Sequence, residues 1–233
     1  MSFLDPAIFY IVAFGGGAVL LAAILHILQE AGRRLGGDGP RTARRLSIGL
    51  LAWAAMVLVY SRISGPGVEW FWPAVIPPLA IGAAVAFTPS VSALLGVISL
   101  PKLIGLQVYR TVGAIFLFAY FFTETAMSRE FAVAAGWGDV LTGVLAVPTA
   151  LAVLFRWPAY RLAVILWCAI GVGDLILAPT MGALYGGPEM DDWPLSLIPL
   201  FYGPPLGILL HIWALRALYL QRAATTAPQA ATA

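Results

Sequence analysis

Three charged residues stand deep inside runs of apolar sequence: Arg110, Asp139 and Asp174. A charge at the centre of a membrane helix costs about 2.5–3.5 kcal/mol on insertion scales, so each of these needs a partner or a task. Two carboxylates at one depth can bind protons or cations, or act as general acid and general base. A guanidinium beside them can set their charge balance or hold an anionic group. The two acids also share a local pattern, Gly136-Trp137-Gly138-Asp139 and Gly171-Val172-Gly173-Asp174, whose paired glycines let a neighbouring helix come close to the carboxylate.

Polar residues with supporting spacing surround this trio. Gln107 lies one helical turn before Arg110 on the same side, and Glu124 lies further along that stripe. Tyr120 and His211 add hydrogen-bonding groups, His211 at a depth similar to that of Arg110. The depths predict an acidic layer toward the outer face and an Arg/His layer toward the inner face. Two readings follow. Arg110 closes on Asp139 or Asp174 as an ion pair that locks the bundle, or the charges surround a water-filled pocket in which a carboxylate takes up and releases a proton. One arginine against two aspartates predicts at least one unpaired carboxylate, which favours the second.

Other chemistries lack their residues. A retinal Schiff base needs a lysine deep in the last helix, and Lys102, the single lysine, falls at a membrane face. Neither a nucleotide-binding loop, nor a Gly-x-Ser-x-Gly elbow, nor a His-rich di-iron pattern occurs. Cys168 is alone, so neither a disulfide framework nor a Cys-based metal site is expected. His26 and His211 are the available haem ligands, but their different depths argue against a shared iron, and no cofactor is expected. His26 with Glu30 four residues on reads as an interfacial pair.

The elements that must position these groups are membrane helices. Of 233 residues 61% are hydrophobic and 10% charged, with a mean hydropathy of +0.91, where soluble domains carry about 25% charged residues. Apolar runs predict helices at roughly 7 to 29, 46 to 62, 70 to 88, 101 to 123, 131 to 155, 158 to 184 and 195 to 220, each able to cross a hydrocarbon core of about 30 Å. Ser90 to Leu100 is too short for an eighth span and reads as a membrane-surface or re-entrant turn. Pro73, Pro77 and Pro78 in the third span, and Pro199, Pro204 and Pro205 in the seventh, free backbone carbonyls inside the membrane, as helices that line cavities often do. The fold class is therefore an all-α polytopic bundle of about seven spans, one domain over 1–222, with a disordered tail at 223–233.

Basic residues orient the bundle. Arg33, Arg34, Arg41, Arg44, Arg45, Lys102, Arg156, Arg161, Arg216 and Arg222 fall on one side, and only Arg62 and Arg129 on the other. The positive-inside rule puts the ten in the cytoplasm, the N-terminus outside and the C-terminus inside. Asp5, Glu69, Glu124, Glu130, Glu189, Asp191 and Asp192 gather on the outer side. Trp70, Trp72 and Trp193 read as outer-interface anchors and Trp157 as an inner one. Twelve arginines against one lysine, with abundant Ala and Gly, point to a high-GC bacterial genome and hence to the bacterial inner membrane.

At Gln107-Val108-Tyr109-Arg110 and Gly136-Trp137-Gly138-Asp139 the chain resembles bacterial multi-pass membrane proteins of unassigned function, mainly over residues 100 to 215. The resemblance implies the membrane class and lends no catalytic residue. The function expected is binding or translocation of a small solute or proton through a polar pocket of the fourth to seventh spans. Two alternatives stand beside it: an intramembrane enzyme using Asp139 and Asp174 on an isoprenoid or quinone-like substrate, and a non-catalytic subunit of a membrane complex. The partners expected are the lipid bilayer, the solute or proton, and a second membrane protein or copy of the chain, with no nucleic acid.

Overall fold

A computed structural model describes residues 7–63, 68–124, 127–187 and 203–226, the side chains of 60–63, 68–74 and 222–226 excepted. Among these residues every regular element is a helix: α1 Ala7–Leu35, α2 Gly39–Ile63, α3 Val68–Ala86, α4 Pro89–Val97, α5 Leu100–Phe122, α6 Arg129–Leu154, α7 Tyr160–Tyr185 and α8 Pro204–Thr226. Five of them, α1, α2, α5, α6 and α7, are long and apolar enough to cross a membrane, and six spans result if the bent pair α3–α4 counts as one. The expectations for Asp5, Arg62, Glu69, Trp70, Trp72, Pro73, Glu189, Asp191, Asp192, Trp193, Pro199 and Arg222 lie outside the described residues or side chains, as does the tail from 227.

Local chemistry sets the helix ends, and in two places moves them from the expected positions. Gly36 and Gly37 take φ of +67° and +48°, a turn that L side chains resist, so α1 folds back sharply into α2. Pro40 in the first turn of α2 needs no amide donor there, and the helix starts at Gly39 rather than at 46. Arg41, Arg44 and Arg45 are thus helical rather than in a loop. Pro204 and Pro205 open α8 for the same reason, so they begin a helix instead of breaking one.

At the other end of the bundle, Ser128 Oγ accepts from the Phe131 amide at 3.1 Å, capping α6, and donates to the Gly186 carbonyl at 2.6 Å beyond α7. α6 ends with the Trp157 amide on the Ala152 carbonyl and the Arg156 amide on the Val153 carbonyl, with Arg156 at φ 53° in a position glycine usually fills. Trp157 is exposed at that turn. The stretch from Ser90 is helix α4, turned 80° from Val75–Ala86, in keeping with the short re-entrant or surface element expected.

Burial is inverted relative to a water-soluble bundle. Leu141, Val144, Val147 and Leu151 of α6 and Leu162, Ile165, Leu166 and Ile176 of α7 are exposed, whereas Gln107, Arg110, Asp174 and His211 are buried. An outward apolar surface with polar groups inside suits a lipid solvent. The inward face of α6 is a stripe of small residues, Ala132, Ala135, Gly136, Thr142, Gly143 and Ala146. Small side chains let α5 and α7 approach the α6 backbone closely, and these are its main neighbours.

Candidate functional site

The site begins with a change of helical geometry. α5 is α-helical over Leu100–Leu106 and Ala114–Phe122, but Gln107–Gly113 between them is a 3₁₀ helix. Side chains three apart eclipse in a 3₁₀ helix, so Gln107, Arg110 and Gly113 form one straight row, and all three are buried. This row docks on the small-residue stripe of α6. A Cβ on Gly143 would stand 2.8 Å from the Thr111 amide nitrogen, and one on Gly113 would overlap Asp139. The two glycines therefore set the depth at which the arginine enters.

Arg110 is fully buried and reaches three groups on two helices. Its Nε donates to Asp139 Oδ1 on α6 at 2.5 Å, its Nη2 donates to Asp174 Oδ2 on α7, and its Nη1 donates to the Gly171 carbonyl at 3.3 Å. One planar guanidinium thus bridges both carboxylates, which overturns the expectation that one would be unpaired. The same contact removes the expected layering: the arginine and the two acids meet at one level, because α5 drives its side chain between α6 and α7. Asp139 retains 15% side-chain exposure and Asp174 7%, while Arg110 has none.

His211 joins this level from α8. Its ring packs on Trp167 with centroids 4.5 Å apart, and a Cβ on Gly171 would overlap its Nε2. Gly171 is therefore shared, its carbonyl taking Arg110 and its bare Cα admitting the imidazole. Trp167 Nε1 donates to the Thr142 carbonyl at 3.0 Å, and Gln107 Nε2 donates to the Gly207 carbonyl of α8 at 3.3 Å. Gly138 is the close neighbour of Asp174, since a Cβ there would overlap Asp174 Oδ1, whereas Gly136 faces Leu117 and Gly173 faces open space. Each Gly-x-Gly pair thus has one glycine at the cluster, Gly138 and Gly171.

Several buried polar atoms of the cluster have no hydrogen-bond partner among the described residues: Asp174 Oδ1, Thr142 Oγ1, Gln107 Oε1 and both ring nitrogens of His211. Buried polar groups are satisfied in the great majority of cases, so a concentration of open ones makes this cluster the candidate site. A family model described as Domain of unknown function (DUF8737) matches residues 72–219, well over half of the chain. The chain belongs to that family. The DUF8737 region runs from α3 to α8 and contains Arg110, Asp139, Asp174 and His211. No curated protein and no solved structure matches the chain.

Two expected members lie elsewhere. Tyr120 is ten residues beyond Arg110, roughly 15 Å along the helix axis, with its ring on Phe121 at 4.9 Å. Glu124 is exposed beyond the end of α5. His26 is exposed near the basic end of α1, remote in the chain from the buried His211. Glu30 pairs with Arg34 at 2.5 Å and with Lys102 at 2.7 Å rather than being reserved for His26. Sequence reasoning missed Thr142, Trp167, Gly113 and Gly143. The small-residue stripe of α6, legible at 3.6-residue spacing, was the signal for Thr142 and Gly143.

Among the described residues no group of three or more His, Cys, Asp and Glu side chains is arranged to hold a metal ion.

Proposed function

We propose that this DUF8737 protein is a proton-binding integral membrane protein, in which the Arg110, Asp139, Asp174 and His211 cluster takes up and releases a proton, coupled to movement of a small solute. In this reading the chain crosses a bacterial inner membrane seven times, α8 completing the seventh span, with its N-terminus outside and its C-terminus in the cytoplasm. The asymmetry of basic residues supports that sidedness.

One observation carries the reading. A single buried guanidinium meets one buried and one largely buried carboxylate, so the fully ionised cluster holds a surplus of one negative charge. Net charge in a low-dielectric interior is costly, and one proton shared among Asp139, Asp174 and His211 removes it. A proton needs no cavity, which fits a site this tightly packed. The open acceptor Asp174 Oδ1 and the open imidazole nitrogens of His211 give it places to reside.

Acid–base catalysis on a lipid-soluble substrate asks more, because the substrate must reach the carboxylates. One described cavity large enough for such a substrate lies among α2, α3, α4 and α8 and has none of the cluster residues in its lining.

Reconstitution into liposomes holding a pH-sensitive dye tests the proposal. Under an imposed gradient the wild-type protein is expected to move protons, and Asp139→Asn and Asp174→Asn to abolish the signal. Asp38→Asn, at an exposed site paired with Arg41, is expected to leave it intact. Folded Asn variants that keep full proton coupling would sink the reading.

A further inference from the structure

The cavity behind α8 has a volume of about 640 Å³, within the range of roughly 300–1,000 Å³ typical of ligand sites. Leu46, Trp53, Ile81, Val85 and Leu209 form its apolar walls. Gly49 lines the cavity from α2, and nothing lies within 4 Å of a Cβ built there.

The lining is not apolar throughout. Thr42 and Arg45 lie in the first two turns of α2, and Thr88 and Ser90 lie at the α3–α4 bend. Arg45 is exposed and has no hydrogen bond or ion pair among the described residues. In the same basic cluster Arg34 pairs with Glu30, Arg41 with Asp38 and Lys102 with Glu30, whereas Arg33 and Arg44 have no such partner among the described residues; of these basic residues only Arg45 lines the cavity. An unpaired guanidinium on an apolar, chain-sized cavity is complementary to a molecule with an anionic head and a hydrocarbon tail. The fork of donors matches a phosphate, and the walls gain by burying methylenes.

We infer that this cavity is a binding site for an anionic, phosphate-headed lipid, with the phosphate on Arg45 beside Thr42 and Ser90 and the hydrocarbon chain between α2, α3 and α8. The site uses none of the residues of the proton cluster and stands or falls separately from it. With the basic residues on the cytoplasmic side, the head lies in the leaflet whose surface is anionic. A water-soluble solute is a poorer occupant, because the walls above Arg45 offer it little hydrogen bonding. A zwitterionic lipid matches the walls but gains less at the arginine.

Native mass spectrometry of the full chain, purified in detergent and given equimolar phosphatidylglycerol and phosphatidylcholine, tests the site. The wild-type protein is expected to retain phosphatidylglycerol preferentially. Arg45→Ala is expected to lower that adduct about tenfold, the loss of one charge-assisted contact. Arg44→Ala, which removes an adjacent arginine outside the lining, is expected to leave it unchanged. Gly49→Leu fills the cavity from an open position and is expected to lower retention of both lipids. Met56→Trp fills it from the far end and decides the matter if Gly49→Leu does not fold. Equal retention of the two lipids by the wild type, an Arg44→Ala loss as large as that of Arg45→Ala, or full adducts on a folded filling variant would each overturn the assignment.

Discussion

On one face of α8, Gly207 and His211 meet a packed cluster in which an arginine bridges two aspartates. On the opposite face, Leu206, Leu209 and Trp213 line an open apolar cavity. At about 100° per residue these two sets point in nearly opposite directions, so a single helix separates two interiors of different chemistry. Glycine is used in opposite ways on the two sides. Gly113, Gly138 and Gly171 admit charged or aromatic side chains into contact, whereas Gly49 leaves space empty of protein. In the proposed reading, charge packed tightly serves a ligand as small as a proton. An open apolar wall serves a chain.

The contrast predicts graded responses to substitution. The largest is expected for Arg110→Met, which leaves two buried carboxylates facing each other and costs about 3–5 kcal/mol, the usual result of removing one partner of a buried pair. Thermal unfolding in detergent micelles would register it. Replacing the whole cluster, Arg110→Met with Asp139→Leu and Asp174→Leu, is expected to recover most of that stability and still show no proton movement in liposomes. Recovery of proton movement along with stability would show that the cluster is only a staple.

A smaller loss, about 1–3 kcal/mol, is expected for Gly138→Ala, because its new methyl overlaps Asp174 Oδ1 and a packed site must shift to admit it. The matching change on the cavity side has the opposite sign. Gly49→Ala meets no neighbour and raises helix propensity, so stability is expected to rise by up to about 1 kcal/mol. Equal destabilisation by the two alanines in the same unfolding experiment would break the comparison.

The cluster was more legible in the sequence than the cavity. That Arg110, Asp139 and Asp174 stand well inside apolar helices follows from hydropathy, although their relative levels did not, and each Gly-x-Gly-Asp pattern marked one glycine at the site. The bridging by Arg110 was not legible, because it depends on the 3₁₀ geometry of Gln107–Gly113. The choice between i→i+3 and i→i+4 bonding there accompanies docking against Gly143 and Asp139 of another helix, which no local propensity encodes. Tyr120 near the end of α5 and Glu124 just beyond it lie too far along the helix axis to reach the arginine.

The cavity arises from segments distant in sequence, α2, α3, α4 and α8, and among the prolines singled out in the sequence Pro77, Pro78 and Pro205 hinted at it. The early start of α2 mattered as well, since it carries Arg45 on a helix beside that cavity rather than in a loop.

Infrared difference spectroscopy of the purified protein tests the central claim most directly, because a protonated buried carboxyl group has a C=O stretch that ionised surface carboxylates lack. The account predicts a protonated-carboxyl band at neutral pH that bleaches as the pH is raised and is altered in both Asp139→Asn and Asp174→Asn. A wild-type spectrum with no such band at any pH at which the protein stays folded, and no imidazolium signal from His211 in its place, would contradict it.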